Sequence, residues 1–451
     1  SVYTVSSVIS VILGALSFGY ARGGIEADKT PHTFSFYTII YRSGVAVLTM
    51  TILALFVLPI GSDFFSLRFG PLIWSVILFF PPSYLLGKLS PFAIKLAQEA
   101  TPHKGLGALS GSMFFWSTAG SIIGSLLTGF FLIPTFGTTS IFYGVTIVIL
   151  TIGITGQTVY SSGKRKKEFV LKLLLLICFV AFIASLTMDG VHPQARLMRD
   201  GVYERLGVID TTYAGRPARF FLQDRSVSGG IYLDGPEHIF NYSAYEELHK
   251  LLPKVDRALV LGGGIYTIPY AIHKDRPEAI IDVVDIEPGL EIIAQDYYDV
   301  PIKEEMRTHV MDGRRYLRET KEEYDFIVSD VYRSMFSTPT HFTTKEFFEL
   351  VHSRMSQGGM FVINAIGTLR PREESFLYSE IRTMREVFPT VTVFAASDPN
   401  AYGVQNFILV GENTQSMPMR ERLRQSGNDY LKTRYAHVAD IPDETLRAYQ
   451  I

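Results

Sequence analysis

Two hydrophobic patterns divide the chain. Up to about residue 187, long apolar runs follow one another with polar residues only between them; beyond it, short apolar stretches alternate with polar segments. A helix that crosses a bilayer needs roughly 20 mostly apolar residues. Runs at about 3–21, 36–60, 70–87, 108–134, 140–160 and 169–187 meet that length, so six spans are predicted. The third carries Pro81-Pro82, a kink signal, and Ser90–Ala97 reads as its interfacial or re-entrant continuation. Gly107, Gly111, Gly120 and Gly124 have the small-xxx-small spacing that lets helix backbones approach closely in lipid, and packing within the bundle, rather than a dimerisation face, is expected of them.

The second pattern is that of an α/β domain. Arg257–Leu261 is a strand entering Gly262-Gly263-Gly264, and Ala279–Val284 is a strand ending at Asp285-Ile286-Glu287. His309–Met311 leads into Asp312, Phe326–Ser329 into Asp330, and Met360–Asn364 is a further buried strand. Helices are expected between them at Pro288–Tyr298, Thr343–Met355 and Arg372–Phe388. The alternation predicts a parallel doubly wound, Rossmann-like sheet, whose ligands bind at the carboxyl ends of the strands. Before it, residues 200–235 alternate apolar and polar positions between turn residues, as a small antiparallel β unit does. The expected organisation is a transmembrane helical domain at 1–187, a linker and β unit at 188–240, a Rossmann-like domain at 241–411 and a polar tail at 412–451 without an interpretable motif.

Charge follows the same division. Residues 1–187 hold 12 Lys/Arg and 5 Asp/Glu, and residues 188–451 hold 30 and 39. The first part is far below the roughly 25% charged content of soluble domains and the second matches it. A lipid bilayer is therefore the expected partner of the first part, and the acidic second part, with no basic stripe, argues against nucleic acid. The single cysteine, Cys178, excludes a disulfide framework and multi-Cys metal sites, and no metal is expected. Only Arg42 and Lys172 lie inside the predicted spans, near enough to an end to snorkel. Without intramembrane carboxylate or histidine chains, a proton-coupled transporter is disfavoured. The chain begins at Ser1 with no basic segment before the first apolar run, so that run does not read as a signal peptide.

Sidedness carries a conflict. The cluster Lys164-Arg165-Lys166-Lys167 belongs in the cytoplasm by the positive-inside rule. One further span then places the second half on the opposite side, although Arg196, Arg199 and Arg205 weaken that contrast.

Glycines after the first strand permit a tight turn and close approach to a nucleoside, but such turns also open many sheets that bind none. Thr267 stands at the third glycine position of the dinucleotide fingerprint, against NAD. Asp285, 23 residues beyond Gly262, is placed to accept from both ribose hydroxyls, or is a solvated strand end.

Taken in order, these residues resemble the spermidine synthases (polyamine aminopropyltransferases), within the S-adenosylmethionine methyltransferase-like fold. The match runs through Tyr203-Glu204-Arg205, Tyr232-Leu233-Asp234-Gly235, Tyr245-Glu246-Glu247-Leu248, the glycine turn and Val284-Asp285-Ile286-Glu287. It continues through Asp312-Gly313-Arg314-Arg315-Tyr316-Leu317, Tyr324-Asp325, Ser329-Asp330, Gly358-Gly359-Met360-Phe361-Val362 and Asn406–Val410. The first half, with Phe80-Pro81-Pro82 and Pro134-Thr135-Phe136-Gly137, resembles the multi-span region fused to such domains in many microbial proteins. The resemblance implies that decarboxylated S-adenosylmethionine or methylthioadenosine sits on Gly262, Gly263 and Gly264, with Asp285 on the ribose and Asp312 on the adenine amino group. It makes Asp330 the acid that deprotonates the attacking amine and steadies the sulfonium, and puts Tyr245 in the acceptor pocket.

The departures fall on the amine side. Ile265, Tyr266 and Thr267 follow the glycines where the family has an acid that holds the aminopropyl ammonium. The second acid of the family's D-x-x-D is Arg333, in Asp330-Val331-Tyr332-Arg333. His238 and Glu204 each replace a family glutamine, and Asp398 stands for an aromatic. Tyr245, Tyr332, Arg333 and His238 are thus the expected acceptor pocket. Losing a carboxylate that pairs with a buried ammonium costs roughly 2–5 kcal/mol, so a diamine of the usual kind is expected to bind poorly. Three readings stay open: a membrane-anchored aminopropyltransferase with an altered amine acceptor, which requires a cytoplasmic domain; a catalytically silent accessory subunit of a membrane protein complex; and a methyltransferase, with Arg333 on the donor carboxylate. Strand-end acids such as Asp312 and Asp330 also cap helices.

Overall fold

The structure, a computed structural model, describes residues 2–61, 69–161, parts of 170–181, 194–224, 226–236, 239–332, 338–370, 375–398, 403–413, 417–434, 436–447 and Tyr449. It forms two compact units, Ser1–Val191 and His192–Ile451.

The first unit is helical: α1 (Val2–Lys29), α2 (Thr33–Gly61), α3 (Gly70–Gly87), α4 (Leu89–Ala100), α5 (Leu106–Leu127) and α6 (Ile133–Val159), with a π turn at Thr128–Leu132 before α6. Five stretches are long and apolar enough to cross a membrane, Tyr3–Lys29, Thr33–Ala54, Gly70–Ala100, Leu106–Leu132 and Thr135–Val159. The sixth predicted run, with Lys172 and Cys178, lies mostly outside the described residues, as does the Lys164–Lys167 cluster.

Glycine-mediated packing occurs elsewhere than the sequence suggests. A Cβ on Gly19 of α1 would fall 2.4 Å from the Tyr84 carbonyl oxygen of α3, and one on Gly153 of α6 would fall 2.7 Å from the Tyr41 backbone of α2. Gly107, Gly111, Gly120 and Gly124 meet nothing within 4 Å among the described residues, because the α5 side chains are mostly exposed in this unit. Among the described residues, the expected packing of those four glycines within the bundle is therefore not found. Where α3 gives way to α4, Lys88 Nζ lies 2.8 Å from both carboxylate oxygens of Glu26 and is 9% exposed. Lys88, inside the Gly70–Ala100 stretch, is thus paired with Glu26 of α1, where the sequence predicts the third span to end ahead of Lys88.

The second unit contains two sheets. Strands β1 (Ala195–Asp200), β2 (Arg205–Tyr213), β3 (Arg216–Gln223) and β4 (Ser226–Tyr232) form an antiparallel sheet in sequence order. Strands β5 (Arg257–Leu261), β6 (Ile280–Asp285), β7 (Met306–Val310), β8 (Tyr324–Ser329), β9 (Met355–Gly367), β10 (Thr390–Ala395) and β11 (Gln405–Glu412) form the other, in the order β10-β11-β9-β8-β5-β6-β7. Its strands are nearly continuous apolar runs because helices cover both faces. These helices are α7 (Thr267–Asp275), α8 (Leu290–Tyr298), α9 (Gly313–Glu319), α10 (Lys345–His352) and α11 (Phe376–Arg385).

The sheet is not wholly parallel. Strand β11 pairs antiparallel with both β9 and β10. The nine residues between β10 and β11 are too few for a crossover helix, so the chain turns back. The polar segment 412–451 also folds onto this unit. It forms α12 (Met419–Gln425), α13 (Asp429–Arg434) and α14 (Asp443–Leu446), and Val438 bridges to Phe394. Leu423 and Leu431 join the core on one face of the sheet, and Ile441, Leu446 and Tyr449 the core on the other.

Candidate active site

The carboxyl ends of β5, β6 and β8 meet at the glycine turn. Gly262 has φ of +96°, open to glycine at little steric cost, and a Cβ there would lie 2.5 Å from the Asp330 carbonyl oxygen. Its N–H donates to the Val284 carbonyl, while the Asp330 N–H donates to that of Leu261, so the turn is tied to both neighbouring strands. Asp285 faces it directly: Oδ2 accepts from the Gly263 N–H at 2.7 Å and Oδ1 from the Glu287 N–H at 2.9 Å. Burial pushes the Asp285 carboxyl up, and the surrounding backbone N–H groups pull it down. Asp285 is thus held by backbone donors and is not a solvated strand end.

Glu287, to which the sequence reading gave no role, is 3% exposed and accepts from the Val202 and Tyr203 N–H groups at 2.9 and 2.8 Å. It fastens the β1–β2 connection beside the end of β6. Glu204 follows in that connection, hydrogen-bonded by the Gln223 amide. Burial, with the charges of Asp285, Asp224 and Glu287 adding to it, pushes the Glu204 carboxyl up to about 7.

Asp330 is partly buried at the end of β8. Its Oδ2 accepts from the Tyr245 hydroxyl at 2.7 Å and its Oδ1 from the Asn364 amide at 3.0 Å. Asn364 Oδ1 accepts in turn from the Asn406 amide at 2.9 Å, and the Asn364 carbonyl accepts from the Tyr332 hydroxyl at 2.7 Å. Burial pushes the Asp330 carboxyl up against these two donors, and Asp330 helps push the Tyr242 and Tyr332 hydroxyls up. Tyr245 therefore bonds Asp330 directly, and Tyr332 is joined to it through Asn364; His238 and Arg333 lie outside the described residues. Sequence reasoning missed Tyr242, Asn364 and Asn406. A signal existed at Asn364, an amide in the otherwise apolar run Val362–Ala365, which needs partners once buried.

Asp312 does two jobs. Its Oδ1 caps α9 by accepting from the Arg315 N–H at 2.9 Å, and its Oδ2 lies 3.0 Å from His341 Nε2. Because Asn caps a helix as well as Asp does, Asp312→Ala should lower stability by about 1 kcal/mol and Asp312→Asn by less than about 0.5 kcal/mol. Urea denaturation followed by tyrosine near-ultraviolet circular dichroism checks both. Where the family turn has an acid, Ile265 is 3% exposed, in contact range of a Cβ on Gly229. Tyr266 is 1% exposed, with its hydroxyl 2.9 Å from Thr308 Oγ1. Neither offers a seat for an ammonium.

Comparison with known proteins finds likenesses over the second unit. Residues 248–421 match the spermine/spermidine synthase domain. A polyamine aminopropyltransferase of Vibrio vulnificus is 32% identical over 140 residues, which are 30% of this chain and 44% of the relative. The chain thus spans less than half the length of that relative. One from Saccharolobus islandicus is 26% identical over 250 residues, 52% of this chain and 79% of the relative. The crystal structure of a spermidine synthase from Thermotoga maritima is 15% identical with a TM-score of 0.41, covering 56% of this chain and 87% of that one. The unit that carries this spermidine-synthase-like match has a Rossmann-like α/β sheet, preceded in the chain by an antiparallel β sheet.

Proposed function

We propose that the spermidine-synthase-like unit transfers an aminopropyl group from decarboxylated S-adenosylmethionine to an amine, and that the first unit anchors it in a membrane as a multi-span domain. The observation that carries this reading is Asp330, oriented by Tyr245 and Asn364 one hydrogen bond from the glycine turn that Asp285 holds. The nucleoside lies on Gly262–Gly264, with its ribose hydroxyls on Asp285 and its adenine edge toward Asp312. The amine nitrogen attacks the aminopropyl carbon bound to sulfur. A C–N bond forms, the C–S bond breaks with its electron pair going to sulfur, and methylthioadenosine leaves as a neutral thioether. Asp330 takes the proton lost by the nitrogen. A carboxyl pushed up by burial is a better base than a solvated one, and its negative charge favours the cationic sulfonium before transfer.

Amine-dependent release of methylthioadenosine from decarboxylated S-adenosylmethionine, measured across a panel of amines, tests the reading. Release with at least one amine is expected. A folded chain that binds the nucleoside yet releases nothing with any amine would favour the accessory-subunit reading. Apolar Ile265 in place of the turn acid is the observation on that side.

A further inference from the structure

Asp312 receives a side chain that the transfer steps do not employ. His341 reaches it from the short turn Thr340–Phe342, which follows β8 in the chain, with Nε2 3.0 Å from Asp312 Oδ2. An ionised carboxylate only accepts, so Nε2 carries the hydrogen. The turn is held from two sides. Arg314 Nη1 donates to the His341 carbonyl at 2.9 Å and to Thr344 Oγ1 at 3.3 Å. Phe342 is 2% exposed, its ring 3.2 Å from where a Cβ on Gly313 would lie. That Cβ would also lie 3.1 Å from Leu261 Cδ2, one residue before the glycine turn. The Met311 N–H donates to the Asp285 carbonyl at 2.9 Å. The start of α9 is thus fastened beside both Gly262 and Asp285. Both side chains of the pair stay accessible to a ligand, His341 at 45% exposure and Asp312 at 36%.

We infer that His341 is a positioning residue for base recognition: it holds Asp312 Oδ2 toward the exocyclic amino group of the adenine, so that the site selects an aminopurine over an oxopurine. The inference rests on the transfer reading, which lays the adenine edge toward Asp312. A carboxylate oxygen has two lone pairs, so Oδ2 can accept from His341 and from the base together. An oxopurine brings a carbonyl oxygen where a hydrogen is needed, and two acceptors then face each other. With the Arg315 N–H on Oδ1 and His341 on Oδ2, the carboxylate cannot turn away from that clash.

The test is calorimetric titration of the full detergent-solubilised chain with methylthioadenosine and with methylthioinosine, whose base carries an oxygen in place of the amino group. The wild type should bind methylthioadenosine at least about 100-fold more tightly, because a site built to accept a hydrogen rejects a ligand that lacks it. His341→Phe keeps a ring without the donor and should narrow that ratio about 10-fold, mainly by weakening methylthioadenosine, the effect of one hydrogen bond to a charged group. His341→Gln, whose amide donates from nearly the same place, should restore it. A merely structural role would weaken both nucleosides alike. An unchanged ratio in His341→Phe therefore overturns the inference, as does a glutamine variant that fails to restore it. So does a wild type that binds both nucleosides equally, with no variant needed and the transfer reading left standing. Failure to bind either nucleoside overturns the transfer reading and this inference with it.

Discussion

Asp330→Asn should lower aminopropyl transfer by about 10²–10⁴-fold, the usual contribution of a positioned general base. Asparagine keeps an oxygen for the Tyr245 hydroxyl but cannot take a proton from the attacking nitrogen. It also removes the negative charge that favours the sulfonium. The loss should therefore appear in kcat, while methylthioadenosine, a neutral product, keeps its affinity. Turnover assays paired with titration of the same variant check both halves. Undiminished turnover would remove Asp330 from the chemistry.

Glu380→Gln should make the protein more stable, increasingly so as pH rises. Burial pushes the Glu380 carboxyl from 4.5 up to about 8. Between those values the folded state keeps a proton that the unfolded chain has lost, so stability falls with rising pH and the deficit is complete above 8. Glutamine carries no such penalty. The gain should be under about 1 kcal/mol at pH 5 and reach about 3–5 kcal/mol above pH 8. Scanning calorimetry of the full chain at the two pH values measures it. Equal melting temperatures at pH 8 would mean that Glu380 is satisfied in the folded protein.

Much of the α/β fold was legible because its strands are buried on both faces. Arg257–Leu261 and Phe326–Ser329 read as apolar runs ending in Gly262 and Asp330, and the strands lie there, with ends moved by up to two residues. The direction of β11 was not legible, since hydrophobic pattern fixes which residues are buried but not which way a strand runs. The folding of residues 412–451 was hidden as well. Its few core residues, such as Leu423, Leu431 and Ile441, are spread singly among charged ones.

The site divides in the same way. Gly262, Asp285 and Asp330 stand where chain order and strand ends put them, next to the turn. Asn364 is a single amide in the apolar run Val362–Ala365, Asn406 follows Gln405 at the start of β11, and Tyr242 precedes β5 by fifteen residues; only the fold brings them near Asp330. Glu380 sat within a helix read as Arg372–Phe388, where a charged residue is ordinarily assigned to the solvated face. The structure places it inside instead. Lys88 is comparable in the first unit: it lay just past the end of the predicted third span, and its partner Glu26 lies 62 residues earlier.

The central claim is that Gly262–Gly264 and Asp285 form a working nucleoside pocket. Calorimetric titration of the full chain with methylthioadenosine and decarboxylated S-adenosylmethionine tests it most directly. Micromolar binding that is lost in Asp285→Ala is the predicted result. A folded chain that binds neither compound would contradict it.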